Sequence, residues 1–514
     1  MNDFNLNAPS PKTCNFTKFN LENSVFTEVS EDFSLPDYVP EVRRVLFAKA
    51  SVLPESKFIS EATSSSFVEF GGTVTYAIIY VDDEGRLCST PLSSSFEEKA
   101  SLSTHPSTVF IDTYVDNLSL RVVAPRKLSL KTRLKSKLYS FEDNEYSESI
   151  KPKSSADELY IERLGRSITS LGVKSASMQN IGISEKFDTP PAKNPVPIWC
   201  DADICIKNST AKSGYVEVGC DVHIKCLCEC EGEIITLSKT IPLYEDIECN
   251  GAEEKDSVRA TGRCVSLTIS SEENAESSSL FFDVRCEIDC DVYGNYENNV
   301  TCDCFSTKCE VDASYKSIDV FSSLCAQNRS FSVNENVRRK SKDMSEIIDV
   351  SLNPVVDKAE IKNSKLSFIG TLKANVIGKS LPNENAQWEY VCETYDIPFK
   401  YDTDISSENE IFSRVNANAF NCNARIDDDK ISLNTEIYIS YCAIAKESVK
   451  ILDTAQLKTE NEFEQNEACI KIYFPKSGDT LWDIAKRYHT RTKDIIEQNS
   501  LEDVSLKGIE HIII

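Results

Sequence analysis

Histidine is scarce, with four among 514 residues, and methionine and tryptophan number three each. Imidazole titrates nearest neutral pH and is the commonest metal ligand, so its scarcity argues against acid–base and metal chemistry. His223 interrupts the inward phase of a strand pattern and is expected at the surface, while His489 ends a helical pattern. Neither has a nucleophile or a carboxylate at a telling spacing. The chain has no P-loop, no Gly-x-Ser-x-Gly elbow and no His-Glu-x-x-His run. The expectation is a protein without catalytic activity or cofactor.

Basic charge is also short. Lys and Arg total 56 against 82 Asp and Glu, a net charge of −26, which argues against nucleic acid or an anionic membrane as the main partner. No apolar run approaches the ~20 residues that cross a bilayer, so no transmembrane segment is expected. Residues 1–10 lack both the basic and the apolar region of a secretory signal. The expected location is the cytoplasm, where the cysteines remain thiols.

What the sequence has in quantity is period-2 alternation, the mark of strands. One long pattern recurs three times. Val68, Phe70, Gly72, Val74, Tyr76, Ile78 and Tyr80 hold the first. Val216, Val218, Cys220, Val222, Ile224, Cys226, Cys228 and Cys230 hold the second, and Leu366, Phe368, Gly370, Leu372, Ala374 and Val376 the third. Taking Phe70, Val218 and Phe368 as equivalent gives offsets of 148 and 150 residues. Each run is preceded by a shorter strand and followed by an apolar segment carrying Pro91, Pro242 or Pro398. Further alternation marks Leu280 to Val292 and Ile431 to Tyr441. Units of this size can each close a sandwich or barrel.

The predicted organisation is mainly β. A loose polar arm (1–30) leads to a first β unit (31–150), then a helical linker (151–190) whose helix runs from Ser155 to Leu171. A second unit (191–325), a polar linker (326–345) and a third unit (346–460) follow, and a small module (468–514) ends the chain.

Fourteen of the twenty cysteines fall between Cys200 and Cys325. Cys226, Cys228, Cys230, Cys286 and Cys290 continue apolar strand phases, and same-face strand residues sit ~6.6 Å apart with no Cys-x-x-Cys knuckle to gather thiolates on zinc. These cysteines are expected to be buried small hydrophobes, with no metal.

The last stretch has the most specific pattern. Ile470, Ile472 and Phe474 alternate as the inward side of a strand, and Pro475 to Gly478 end it. Thr480 and Asp483 approximate a capping box. Leu481, Ile484, Ala485 and Tyr488 form one apolar stripe of a helix. Thr492 can cap a second helix containing Ile495 and Ile496, with Asn499 in the left-handed conformation at its end, before an apolar strand from His511 to Ile514. Seven basic and seven acidic residues make this module neutral.

The Gly-Asp-Thr-Leu-Trp-x-Ile-Ala-x-x-Tyr run, followed by Ile-Ile-x-x-Asn-x-Leu, resembles the LysM module, a βααβ fold. That resemblance implies a groove for N-acetylglucosamine (peptidoglycan) chains between the Gly478-Asp479-Thr480 turn and the Asn499 to Leu501 turn. Candidate binding residues are Gly478, Asp479, Thr480, Leu481, Trp482, Lys486, Ile496, Asn499 and Leu501. Trp482 sits one step off the buried stripe, so its ring is expected to be at least partly exposed. It either packs over the strand pair or anchors a partner.

Three ~150-residue β repeats ending in such a module resemble SipL-type clostridial spore coat morphogenetic proteins, whose repeats are called SPOCS domains. The resemblance implies a mother-cell scaffold at the forespore surface. It would bind the coat ATPase SpoIVA and other coat proteins, with the terminal module contributing.

Overall fold

The computed structural model describes residues 4–5, 14–62, 65–147, 149–151, 160–187, 195–274, 277–341, 344–380, 388–405, 410–463, 470–501, 504–506 and 509–514. Antiparallel sheet dominates, as the alternation predicts, and among the described residues the two helices both lie in the terminal module.

A two-residue strand β1 (Phe4–Asn5) precedes the first unit. That unit contains β2 (Cys14–Leu21), β3 (Val25–Ser34), β4 (Arg44–Ala62), β5 (Ser65–Val81), β6 (Leu87–Leu102), β7 (Thr108–Ala124) and β8 (Lys127–Tyr146). β4, β5 and β6 form a meander; β2 and β3 follow one another along one edge of β8, and β7 takes the other edge. The short β9 (Ser149–Lys151) comes next. The second unit repeats the plan with β10 (Ile161–Lys186), the meander β11 (Val196–Lys212), β12 (Tyr215–Cys230) and β13 (Glu233–Glu248), then the hairpin β14 (Ser257–Asn274) and β15 (Ser277–Ser306). The third has β16 (Cys309–Arg338), the meander β17 (Met344–Lys362), β18 (Lys365–Ser380) and β19 (Glu389–Asp404), then β20 (Glu410–Asn418), β21 (Cys422–Asp427) and β22 (Lys430–Glu462).

Each unit is therefore an edge strand, a meander and a hairpin, and the edge strand joins the sheet of the hairpin that follows it. Three expectations change as a result. Residues 14–30 are not a loose arm but β2 and most of β3, and Phe16 and Phe19 are buried. From Ile161 onward the expected helix is strand β10, while residues 155–159 of it lie outside the described residues. The expected linker at 326–345 is largely β16, paired with β22 through Arg338. Polar residues are no obstacle in these strands, because each has a partner for its backbone hydrogen bonds.

The inner phases hold as read. The alternating residues of the Val68 to Tyr80, Val216 to Cys230 and Leu366 to Val376 runs are buried, and the cysteines among them are buried like their aliphatic neighbours. The register confirms the repeat offsets. A bulge in the first meander strand places Gly72, Cys220 and Gly370 at equivalent positions. A Cβ at Gly72 would stand 2.2 Å from the Leu53 carbonyl, and one at Gly370 2.3 Å from that of Val355. Only glycine allows such an approach.

The three units pack around one another. The equivalent residues Ile79, Leu227 and Ile377 share a cluster with Phe47 and Trp199, so the meanders meet at a pseudo-threefold junction. On the other side, Phe19 and Phe141, Leu171 and Tyr293, and Phe321 and Cys442 bring the three hairpin sheets together. Buried charge ties the same units. Arg414 donates to Asp112 of the first unit (2.6 and 2.8 Å) and to Asp291 of the second (2.5 Å). Burial opposes its charge, but the two carboxylates prevail and hold its pKa well above the ordinary value. A cavity of about 390 Å³ opens between the units beside this cluster.

Packing between units also overturns the surface position expected of His223. It is buried, stacked on Phe420 of the third unit (ring centroids 5.6 Å apart), with Nδ1 in contact with Asn421 Nδ2 (2.9 Å) and Thr240 Oγ1 (3.0 Å). Two residues on, Lys225 is buried as well and donates to Asp349 (2.8 and 3.0 Å) and to the Val350 carbonyl (2.8 Å).

Candidate binding module and its seat

The terminal module is assembled from short pieces. β23 (Ile472–Tyr473) pairs antiparallel with β24 (Ile512–Ile513), enclosing α1 (Leu481–Tyr488) and α2 (Thr492–Gln498). Gly478 turns the chain with φ +96°. Thr480 caps α1: its hydroxyl accepts from the Asp483 amide (3.1 Å), one half of the predicted capping box, while the Asp483 carboxylate accepts from that same hydroxyl (2.6 Å). Leu481, Ile484, Ala485, Ile495 and Ile512 form the core, with Tyr488 and Ile496 half-buried against it.

Three local details differ from the pattern. The strand faces the other way: Tyr473 turns toward Tyr488, while Ile470, Ile472 and Phe474 are 66 %, 59 % and 66 % exposed. With two paired residues per strand, contact with the helices, not alternation, selects the inner side. Ser500, not Asn499, takes the left-handed conformation (φ 52°) after α2. Asn499 instead staples the ends together. Its Nδ2 donates to the Ile495 and Ile513 carbonyls, and its Oδ1 accepts from the Ile513 amide (2.6 Å). Finally, Thr492 is the first residue of α2 and Arg491 its N-cap, which makes no side-chain capping bond.

The missing cap comes from outside the module. Glu162, on β10, accepts from the Thr492 backbone N–H, and burial raises its pKa despite this bond and the nearby Arg491. It belongs to a larger seat. Trp482 is only 5 % exposed and packs edge-on against Phe305 of β15, ring centroids 4.9 Å apart. Its Nε1 donates to Asp303 (2.9 Å), and Lys486 Nζ reaches both Asp303 oxygens (2.8 and 2.6 Å). Tyr315 donates to the same carboxylate (2.6 Å). Burial alone would raise the Asp303 pKa, but Lys486, Tyr315 and Trp482 together hold it below the usual value. Phe463 stacks on His489, and Leu164 joins the module's core.

The partly exposed Trp482 expected from the helical stripe is thus corrected. The stripe marks contacts within the module, whereas the body of the protein covers the ring. Of the nine candidate residues, Trp482 and Lys486 face the body and Leu481 is internal. Gly478 and Thr480 stay exposed beside the half-buried Asp479, Asn499 and Leu501, and Ile496 supports them. Asp479 is held below the ordinary carboxylate range by the Lys476 amide (2.8 Å) and the Tyr473 hydroxyl (2.7 Å). This turn is preformed, which spares a ligand the cost of ordering it. Sequence reasoning missed Asp303, Phe305 and Glu162. No local signal marks them, since they lie on strands of other units.

Residues 476–507 match the LysM domain. The C-terminal part of the chain is therefore a LysM binding module, of the kind associated with peptidoglycan and other carbohydrate chains. No curated protein and no solved structure matches the chain. Among the described residues, no helix is long and apolar enough to cross a membrane.

Proposed function

We propose that this chain is a non-catalytic scaffold of endospore coat assembly, acting in the mother-cell cytoplasm at the forespore surface. It binds a SpoIVA-like coat ATPase and other coat proteins, and LysM contributes to the contact. The carrying observation is the seat on Asp303. A module clamped to a three-unit β body presents its open turns and its apolar strand face in one fixed orientation, as a scaffold requires. The partner class follows from the resemblance to SPOCS-repeat proteins.

The test compares the full chain with one ending before Ile470, by capture of the purified ATPase and by fluorescence localisation in sporulating cells. The expected result is weaker capture and diffuse fluorescence for the shortened chain. Equal capture and unchanged localisation would overturn the role given to LysM.

A second reading is favoured by the exposure of Gly478, Thr480 and Ser500, which leaves the groove of a glycan-binding LysM accessible. In this reading the protein binds N-acetylglucosamine chains of the cell wall or spore cortex. Tight pull-down by purified peptidoglycan, lost on deleting residues 470–514, would favour it over the scaffold.

A further inference from the structure

The second unit differs from the other two where its first two meander strands pair. Cys200 on β11 stands directly opposite Cys226 on β12. The equivalent pairs are Ala48 with Ile78 in the first unit and Val350 with Val376 in the third. Aliphatic packing thus suffices at this position, and only the second unit places thiol against thiol. The Cys200 and Cys226 sulfurs are 2.9 Å apart, inside ordinary van der Waals contact, and Cys228 Sγ lies 3.4 Å from Cys226 Sγ. Cys200 is half-buried and reachable from solvent, whereas Cys226 and Cys228 are fully buried.

We propose that Cys200 and Cys226 are a modification site, an oxidisable pair that hydrogen peroxide closes into a cross-strand disulfide. The Cys200 sulfur attacks one peroxide oxygen and the O–O bond breaks. Sulfur keeps one oxygen as a sulfenic acid, and the other leaves as water with the thiol proton. The Cys226 sulfur then displaces that oxygen, so the S–O bond breaks, the S–S bond forms and a second water leaves. Two thiols and one peroxide give one disulfide and two waters.

Register selects this pair over Cys226 with Cys228. Opposed residues have Cα atoms ~4.5–5.5 Å apart, well within a disulfide's span, whereas same-face neighbours on one strand are ~6.6 Å apart, at its limit. The bond would sit next to Trp199 and Leu227, two residues of the junction where the three meanders meet. Oxidation would therefore staple the centre of the assembly.

The experiment treats the full reduced chain with one equivalent of hydrogen peroxide, alkylates the remaining thiols in denaturant and maps the peptides by mass spectrometry. The expected product has lost two hydrogens and contains a peptide linked through Cys200 and Cys226. Its melting midpoint rises by several degrees and falls back on reduction. Cys200→Ala, which installs the residue type of the first unit, should fold normally and lose both the link and the rise. Recovery of Cys200 and Cys226 as alkylated thiols, a link from Cys226 to Cys228, or the same rise in the C200A chain would overturn the proposal.

Discussion

Strands β5 and β12 follow one alternating pattern and end in different surroundings. Both turn their apolar phase into a sandwich core. On the outer face, Thr75 of β5 remains half-exposed, whereas its equivalent His223 is buried under Phe420 and Asn421 of the third unit. Lys225, on the same face, is held by Asp349. The contrast teaches that periodicity identifies which face turns inward but not whether the opposite face meets water or another unit. The terminal module repeats the lesson, since its helical stripe is legible while the seat that buries Trp482 is not.

The largest test of this contrast is Lys225→Ala. It leaves the Asp349 carboxylate buried without its cation and should cost about 3–5 kcal/mol by denaturant unfolding. Thr75→Ala, on the corresponding face of the first unit, should stay within about 0.5 kcal/mol. Comparable losses in both would break the distinction between the two faces.

Next comes the seat of LysM. Asp303→Asn removes the charge that receives Lys486 and Trp482, and should weaken seating by about 1.5–3 kcal/mol. The measurement is acrylamide quenching of Trp482 fluorescence in a chain whose other two tryptophans are replaced by phenylalanine; quenching should rise. Acid should mimic the variant. Because the Asp303 pKa is lowered in the folded state, its contribution is complete above the ordinary value of 3.8 and fades as pH falls below it.

His223 supplies a milder, pH-dependent contrast. Burial lowers its pKa below the ordinary imidazole value of 6.5. The unfolded chain therefore binds a proton first, so stability is full above pH 6.5 and declines as pH falls through the window beneath it. Unfolding midpoints measured from pH 7.5 to 5 should fall less in His223→Gln than in the parent. His489, also lowered by burial, contributes a share that remains in both. The smallest effect is expected at Thr480→Ala, where loss of the cap on α1 should cost about 1 kcal/mol and raise amide exchange at Asp483.

Much of the architecture was readable from particular residues. Offsets of 148 and 150 placed the repeat, and the bulges at Gly72, Cys220 and Gly370 carry the same spacing. The segment after Ser155 misled for a physical reason. Within it the pairing of β10 with β15 changes register at Leu164/Gly165, and Ile168 and Leu171 are both buried, so strict alternation is lost and a spacing of three mimics a helix. Within LysM, the Thr480 cap and the core stripe were legible, whereas the inner side of β23 was not, because two residues cannot establish a period.

Alternation, glycine placement and capping chemistry are local, and they alone determined a mainly β chain with a small helical module at its end. Which edge strand joins which sheet, why His223 and Lys225 leave water, and where Trp482 rests were decided only in three dimensions. Those outcomes depend on partners far away in sequence: Asp349 for Lys225, Phe420 for His223, and Asp303 with Phe305 for Trp482. A side chain's own neighbourhood in the sequence holds no record of the surface that will cover it.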